Sequence, residues 1–301
     1  MTYSILARDP ETGEMGVATQ SQAFAVGHSV PWALPGFGVI ATQSMGEPAY
    51  GELGLDGLRA GLTAQEALVA VRSIDPHPER RQVAMIDGHG GIAAYTGAAC
   101  IAEAGQRIGR DCCAIANMMR GDGVWDAMVE ALEGSSGPLA PRLMAALHAA
   151  EAAGGDFRGQ RSAAVKVVRA ARSGRPWRDH VVDLRVDDHE RPLEVLDRLV
   201  EKNARYNRMV RAFERALNGA AEEAAADVDG MAVEQAAIEP DLLMWRAAIL
   251  ALAGREREAE SALESLPPAF VEVFRHLRTA GLVDRPDLWE RLLARAGTRE
   301  A

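Results

Sequence analysis

Behind Met1 the chain reads TYSILARDPETGEMGVATQSQ over Thr2–Gln22. Two apolar runs flank residues 9–14, DPETGE, in which Asp-Pro and Thr-Gly are strong turn signals. This pattern predicts a β-hairpin whose first strand begins at Thr2. Because a small second residue permits removal of the initiator methionine, we also expect Thr2 to become the N-terminal residue.

Thr2 therefore has two interpretations. An α-amine titrates near roughly 7.7–8.0 and is partly neutral in a cell, so the amine and hydroxyl of an N-terminal threonine form a base–nucleophile pair. Threonine is also a common strand residue, and taken alone this structural interpretation is the simpler one. Ser4 shares a strand face with Thr2, either as a supporting hydroxyl or as a polar strand residue.

The composition is that of a globular chain with one large or two smaller domains: 301 residues, 48% apolar and 25% charged. The net charge of -10 and the pI of about 5.3 argue against nucleic acid or an anionic membrane as a partner, because phosphate binding needs a basic surface. Lys166 and Lys202 are the only lysines, which removes lysine from most mechanistic roles.

We predict no disulfide framework, no metal and no cofactor. Cys100, Cys112 and Cys113 form no CxxC pair, and the seven histidines show no ligand spacing. The start of the chain lacks the basic and apolar regions of a signal peptide, and no apolar run approaches the ~20 residues that span a bilayer. We therefore expect a cytoplasmic protein.

Strand and helix signals divide the chain into residues 1–190 and 191–301. The first part alternates strands with paired helices, with a second hairpin in residues 81–100 (RQVAMIDGHGGIAAYTGAAC) and a capping box formed by Thr63 and Glu66. This order predicts an α+β fold with helices on both sides of antiparallel sheets. The second part reads as an all-helical domain.

The helical domain carries two patterns. Apolar residues over 196–217 repeat at spacings of three and four, so this helix packs on its own domain, which is the simpler interpretation, or pairs with a second copy of the chain. For the whole protein we expect a homo-oligomer, a dimer. Residues 240–268, PDLLMWRAAILALAGREREAESALESLPP, predict a helical hairpin that turns at Gly254. This segment resembles a single tetratricopeptide unit.

Several segments in the first part resemble those of a bacterial family classed as a domain of unknown function. They are TYSILARDPETGEMGVA (2–18), VPWALPGFGVIATQS (30–44), TGAACIAEAG (96–105), GGDFRGQRSAA (154–164) and VVDLRVDDH (181–189). The resemblance covers about residues 2–200 and implies a four-layer αββα sandwich of the N-terminal nucleophile (Ntn) hydrolase type. The family has no settled substrate, so the reaction has to be argued from the site.

The Ntn resemblance implies a ring of polar groups around Thr2, because the nucleophile begins the first strand and its partners come from neighbouring strand ends. On this chain these positions are Gln20, Ser21, Thr42, Gln43, Asn117, Asp156, Arg161 and Ser162. Polar strand ends are also what ordinary turns look like. Within the ring, Asp156 and Ser162 would hold the amine or its water, and Arg161 would bind a substrate carboxylate.

The implied reaction is acyl transfer to Thr2, with oxyanion stabilisation by Asn117 and by backbone N–H groups near Thr42 and Gln43. Because no lysine lies at the third strand, a proteasome-type peptidase is disfavoured. A hydrolase of a small amide, an acylated amino acid or a ureide remains. The alternative is a non-catalytic ligand-binding or assembly protein on the same scaffold.

Overall fold

The computed structural model describes residues 2–229, 239–267, 269–270, 272–273 and 276. By its internal contacts the chain divides into two compact units, residues 1–201 and residues 202–301. The first unit contains both β-sheets, and the described part of the second unit is helical. This division lies within one long helix, whereas the sequence places the boundary between 190 and 191.

The strands form two antiparallel sheets. In chain order they are β1 (Thr2–Arg8), β2 (Met15–Ser21), β3 (Pro31–Leu34), β4 (Gly38–Ser44), β5 (Arg81–Asp87), β6 (Ile92–Thr96), β7 (Gly105–Gly109), β8 (Cys112–Asn117), β9 (Ser162–Val168) and β10 (His180–Val186). One sheet has the order β10-β9-β2-β1-β8-β7, and the other has the order β3-β4-β5-β6. β1 is therefore a central strand, with β2 on one side and β8 on the other.

Helices cover the outer face of each sheet. In chain order the helices are α1 (Ala49–Arg59), α2 (Ala64–Ile74), α3 (Val124–Glu133), α4 (Leu139–Ala152), α5 (Pro192–Leu217), α6 (Ala221–Asp229), α7 (Pro240–Leu252) and α8 (Glu256–Glu264). α1 and α2 pack on the four-stranded sheet, and α3 and α4 pack on the six-stranded sheet. The capping box of Thr63 and Glu66 starts α2 as predicted. The α+β prediction is confirmed.

The two sheets face each other across a buried apolar cluster that includes Leu6 of β1 and Val39 of β4. Side chains alternate between the two faces of a strand, so Tyr3 of β1 lies instead in the cluster beneath α3 and α4. Thr2 and Ser4 share the face of Leu6. The first residues of β1 therefore place two hydroxyl groups at one end of the core between the sheets.

The sequence predicts neither β3 nor β7. β3 begins at Pro31, and proline is typical of turns rather than of strands. β7 is short and both begins and ends with glycine, at Gly105 and Gly109, so it has no strong strand pattern. Both are edge strands. Pairing with the neighbouring strand, rather than a strong local pattern, makes these segments extended.

The second unit has its own buried core, formed by the end of α5 together with α6, α7 and α8. α7 and α8 form the predicted hairpin, with Gly254 between them at φ +77°. Phe213 of the apolar repeat packs on this core, whereas Val210 and Leu217 are 43% and 49% exposed. Residues 230–238, Pro268 and most of the predicted helical domain beyond it lie outside the described residues. Among the described helices, none has both the length and the apolar character needed to cross a membrane.

Candidate functional site

Thr2 begins the central strand of the six-stranded sheet. It lies opposite Ser21 of β2 and Asn117 of β8, and only 5% of its surface is exposed. Its hydroxyl donates a hydrogen bond to Ser21 Oγ over 3.2 Å. Met1 lies outside the described residues. The Thr2 hydroxyl is thus held at the end of the sheet by a neighbouring strand.

Two side-chain amides bind the carbonyl oxygen of Thr2. Gln43 Nε2, from β4 in the facing sheet, lies 2.9 Å from this oxygen, and Asn117 Nδ2 lies 3.4 Å from it. Ser4 Oγ donates to Gln43 Oε1 over 2.6 Å. All four residues are almost completely buried. The structure therefore brings Thr2, Ser4, Gln43 and Asn117 into one network that joins the two sheets.

Gln82 is the centre of this network, and the sequence prediction missed it. It lies on β5 directly opposite Gln43 and is fully buried. Its Oε1 accepts hydrogen bonds from Gln43 Nε2 over 2.8 Å and from Asn117 Nδ2 over 3.0 Å. The sequence contains a signal for Gln82, because it is a polar residue near the start of the apolar strand RQVAMID. Its partner on the neighbouring strand is Gln43, which the sequence does predict as a site residue.

The amide hydrogens around Thr2 are already bound by protein acceptors. Asn117 Nδ2 has two hydrogens, and its two acceptors are Thr2 O and Gln82 Oε1. Gln43 Nε2 has Thr2 O, Gln82 Oε1 and Ile115 O within 3.3 Å. Asn117 Oδ1, by contrast, is buried and has no hydrogen-bond partner among the described residues. In this arrangement Asn117 offers an acceptor rather than a donor.

Thr42 and Gln20 lie away from Thr2. The alternation of β4 turns the Thr42 side chain away from the facing sheet; its N–H donates to Val30 O over 3.1 Å and its Oγ1 donates to Glu47 O over 3.2 Å. Gln20 lies on the helix-covered face of β2, where its amide is buried without a partner among the described residues. The structure does not bring either side chain into the Thr2 network.

Ser162 and Asp156 hold the loop that follows β2. Ser162 Oγ donates to Ala23 O over 2.6 Å and accepts from the Val26 N–H over 3.0 Å. Asp156 accepts from the N–H of Gln22 over 3.3 Å. Both side chains therefore fix the chain next to Ser21, and within the described part of the protein neither is bonded to Thr2.

Arg161 lines an open cleft of about 550 Å³. Its guanidinium pairs with Asp188 over 2.8 Å and lies 5.5 Å from the centroid of the Phe24 ring. The hydrogen bond from Arg161 holds the pKa of Asp188 below its ordinary value. The other residues that line the cleft are Gln22, Gln160, His189 and Glu190. Arg161 is thus already paired with a carboxylate of the protein.

Burial keeps several titratable groups near β1 protonated. It raises the pKa of Tyr3, whose hydroxyl also donates to Glu151 Oε1 over 2.5 Å. Burial raises the pKa of Cys112 to about 11 and that of Cys113 to about 12, so both thiols are unreactive at neutral pH. In the part of the chain that the structure describes, no three His, Cys, Asp or Glu side chains are placed to hold a metal ion.

Known proteins similar to this chain give its family. The model of the Family of unknown function (DUF1028) matches residues 2–196, which include both sheets and the four helices that cover them. A crystal structure of a DUF1028 protein from Silicibacter pomeroyi is 36% identical, with a TM-score of 0.61, over 67% of this chain and 85% of that one. No curated protein matches the chain. The predicted membership of a family of unknown function is thereby confirmed: the chain belongs to the DUF1028 family.

Proposed function

We propose that this protein is an N-terminal-nucleophile hydrolase of a small amide, an acylated amino acid or a ureide, with Thr2 as the nucleophile after removal of Met1. The observation that carries the proposal is the position of Thr2. It begins a central strand and it is buried between two sheets. Its hydroxyl is held by a side chain of a neighbouring strand, and its carbonyl oxygen by side chains of a neighbouring strand and of the facing sheet.

The layered fold supports the proposal. The layers follow the order of an αββα sandwich. This order is α1 with α2, the four-stranded sheet, the six-stranded sheet, and α3 with α4. In Ntn hydrolases with this architecture, the nucleophile begins a strand at the end of the space between the sheets. Thr2 begins β1 at one end of the core between the sheets, and this position supports its proposed role as the nucleophile.

The proposed reaction is acyl transfer to Thr2 Oγ1. The neutral α-amine takes the hydroxyl proton, directly or through water, as Oγ1 forms a bond to the amide carbon. The resulting ammonium protonates the leaving nitrogen as the C–N bond breaks, which leaves an ester on Thr2. Water then attacks the ester, the acid is released, and the hydroxyl of Thr2 recovers its proton.

In this mechanism Asn117 acts as an acceptor. Its amide hydrogens are bound to Thr2 O and Gln82 Oε1, while its oxygen is buried and unpaired among the described residues. The ammonium that forms on Thr2 supplies the donor that this oxygen lacks. The mechanism assigns no role to a lysine: Lys166 lies on β9 and pairs with Asp183 over 2.7 Å, and Lys202 lies on α5 and pairs with Glu239 over 3.5 Å.

The test is chemical labelling of untagged protein with a β-lactone electrophile. We expect intact and N-terminal peptide masses to show loss of Met1 and an adduct on Thr2 that is absent in Thr2→Ala. Thr63→Ala, which changes an exposed threonine at the start of α2, is the matched control and should keep the adduct. Retention of Met1, or a free Thr2 that stays unlabelled by probes of several sizes, would refute the proposal.

A second candidate is a non-catalytic ligand-binding or assembly protein, which one observation favours. Two of the predicted oxyanion donors are engaged: the Thr42 N–H binds Val30 O, and the side-chain amide of Asn117 binds Thr2 O and Gln82 Oε1. On this proposal the tetratricopeptide-like hairpin of α7 and α8 binds a partner or a second copy of the chain. Such a protein would tolerate Thr2→Ala and an N-terminal extension, whereas the hydrolase would lose its activity with either.

A further inference from the structure

We propose that Gln82 is a positioning residue of the Thr2 site, which fixes the amide of Asn117 so that its oxygen is available to the Thr2 amine. This inference rests on the proposed hydrolase. Gln82 is fully buried on β5, in the sheet that faces Thr2. Among the described residues, hydrogen bonds link Gln82 to Thr2 through Gln43 and Asn117, so Gln82 acts through these two residues and not on the reacting atoms.

Backbone carbonyls fix the direction of the Gln82 amide. Its Nε2 lies 2.8 Å from Ala116 O and 3.0 Å from Gly105 O. A carbonyl oxygen only accepts hydrogen bonds, so the atom that faces these two oxygens has to be the nitrogen. The two carbonyls belong to β8 and β7, which anchors Gln82 to the opposite sheet.

The direction of Gln82 then fixes that of Asn117. With its nitrogen on the two carbonyls, Gln82 presents Oε1 to Asn117, and only the nitrogen of the Asn117 amide can donate to it. The same nitrogen faces the Thr2 carbonyl. A half-turn of the Asn117 amide would place oxygen against oxygen at both contacts. Gln82 therefore excludes the flipped amide and leaves Asn117 Oδ1 as the unpaired acceptor.

The pairing of the strands brings the side chain that carries this acceptor beside Thr2. Asn117 and Thr2 are direct partners on neighbouring antiparallel strands, where side chains and backbone of the pair lie within a few ångströms of each other. Removal of Met1 converts an amide N–H into an ammonium or amine with additional hydrogens. A buried acceptor without a partner is unfavourable, and the mature amine relieves it.

Two variants test the proposal kinetically. Gln82→Met removes both ends of the amide, and we expect the rate of β-lactone labelling at Thr2 to fall about 100-fold, because a misplaced catalytic group costs this much. In Asn117→Ala the rate of labelling at Thr2 should fall by a similar factor. Because Gln82 acts through Asn117, the double variant should be no slower than the slower single variant, whereas independent structural effects would multiply.

Gln20→Met, which changes an equally buried glutamine outside the network, is the matched control and should label at the normal rate.

A spectroscopic readout is independent of catalysis. The chain has four asparagines, of which Asn117 is the only one before residue 202, so selective ¹⁵N-asparagine labelling gives four side-chain amide pairs. The Asn117 pair, identified by its loss in Asn117→Ala, should exchange slowly with solvent in the native protein and rapidly in Gln82→Met. If Gln82→Met does not fold, Gln82→Leu, which also removes the oxygen that accepts from the Asn117 amide, takes its place with the same expected results.

The outcomes separate the two proposals. Unchanged exchange of the Asn117 amide in the Gln82 variants, or multiplicative losses in the double variant, would overturn the positioning role. A second outcome is rapid exchange of the Asn117 amide in the Gln82 variants without labelling of Thr2 in either the native protein or the variants. This outcome would support the positioning of Asn117 by Gln82 and would refute the hydrolase proposal.

Discussion

Asp75 directly follows α2 and binds Arg81, the residue next to Gln82. Arg81 Nε lies 2.8 Å from Asp75 Oδ2, and the Tyr50 hydroxyl donates to the same oxygen over 2.9 Å. The Asp75 side chain is 4% exposed. The hydrogen bond from Arg81 holds the pKa of Asp75 well below its ordinary value. These contacts tie the start of β5, and with it Gln82, to the ends of two helices.

This pair predicts an acid dependence of stability. The pKa of Asp75 is lower in the folded than in the unfolded chain, so its stabilisation is fully present above the unfolded value of 3.8 and is lost as the pH falls through the folded pKa. Asp75→Asn should lower the free energy of unfolding by about 2 kcal/mol at neutral pH, because hydrogen bonds to charged groups are lost. Urea unfolding between pH 2 and 7 (roughly the range over which carboxyl groups titrate) checks this. If the native protein and Asp75→Asn differed in free energy of unfolding as much at the lowest pH as at neutral pH, the prediction would be wrong.

At the scale of strands and helices, the sequence is a good guide to the elements that form. It is a poorer guide to the side chains that contact one another in the folded protein. Polar residues at strand ends point to Gln43 and Asn117 because strand ends are local signals, and both side chains contact the Thr2 carbonyl. Thr42 was predicted with them, yet the two-residue alternation of β4 sends it to the other face. Gln82 was missed because its contacts join two sheets, and such pairing depends on the packing of the whole fold.

α1 offers a prediction in which two effects oppose each other. Replacing a helical glycine by alanine gains about 1 kcal/mol of helix stability. At Gly51, however, the new Cβ would lie 2.3 Å from the Trp32 ring, whose indole N–H is bound to Ser29 O. We expect overpacking to win, so that Gly51→Ala lowers the free energy of unfolding by about 1–3 kcal/mol.

Gly57 in the same helix is the matched control. Its new Cβ would lie 3.3 Å from Leu62 Cδ1, and the Leu62 side chain is 38% exposed and able to move aside. Gly57→Ala should therefore be neutral or stabilising by up to about 1 kcal/mol. Chemical unfolding of the two variants tests the pair, and an equal effect at both positions would show that contact with Trp32 is unimportant.

At the scale of the whole molecule, the two units have separate buried cores. The core of the second unit consists of residues from Met209 onwards, whereas the cores around the sheets consist of residues up to Val200. Only the first unit contains the Thr2 network. A cavity in the helical core should therefore destabilise its own unit and leave the chemistry at Thr2 unchanged.

Leu250→Ala tests this separation. Leu250 is fully buried in α7, and we expect its truncation to lower the stability of the helical unit by about 2–5 kcal/mol, the transfer free energy of the lost atoms plus the cavity. Hydrogen exchange should accelerate in peptides from α6, α7 and α8 and stay unchanged in peptides from β1 and β8, with Thr2 labelling as in the native protein. Leu217→Ala, at a half-exposed position of α5, is the control and should change little. If β1 and β8 exchanged faster to the same extent as the helices, the two units would unfold together. The helical unit would then contribute to the stability of the Thr2 site.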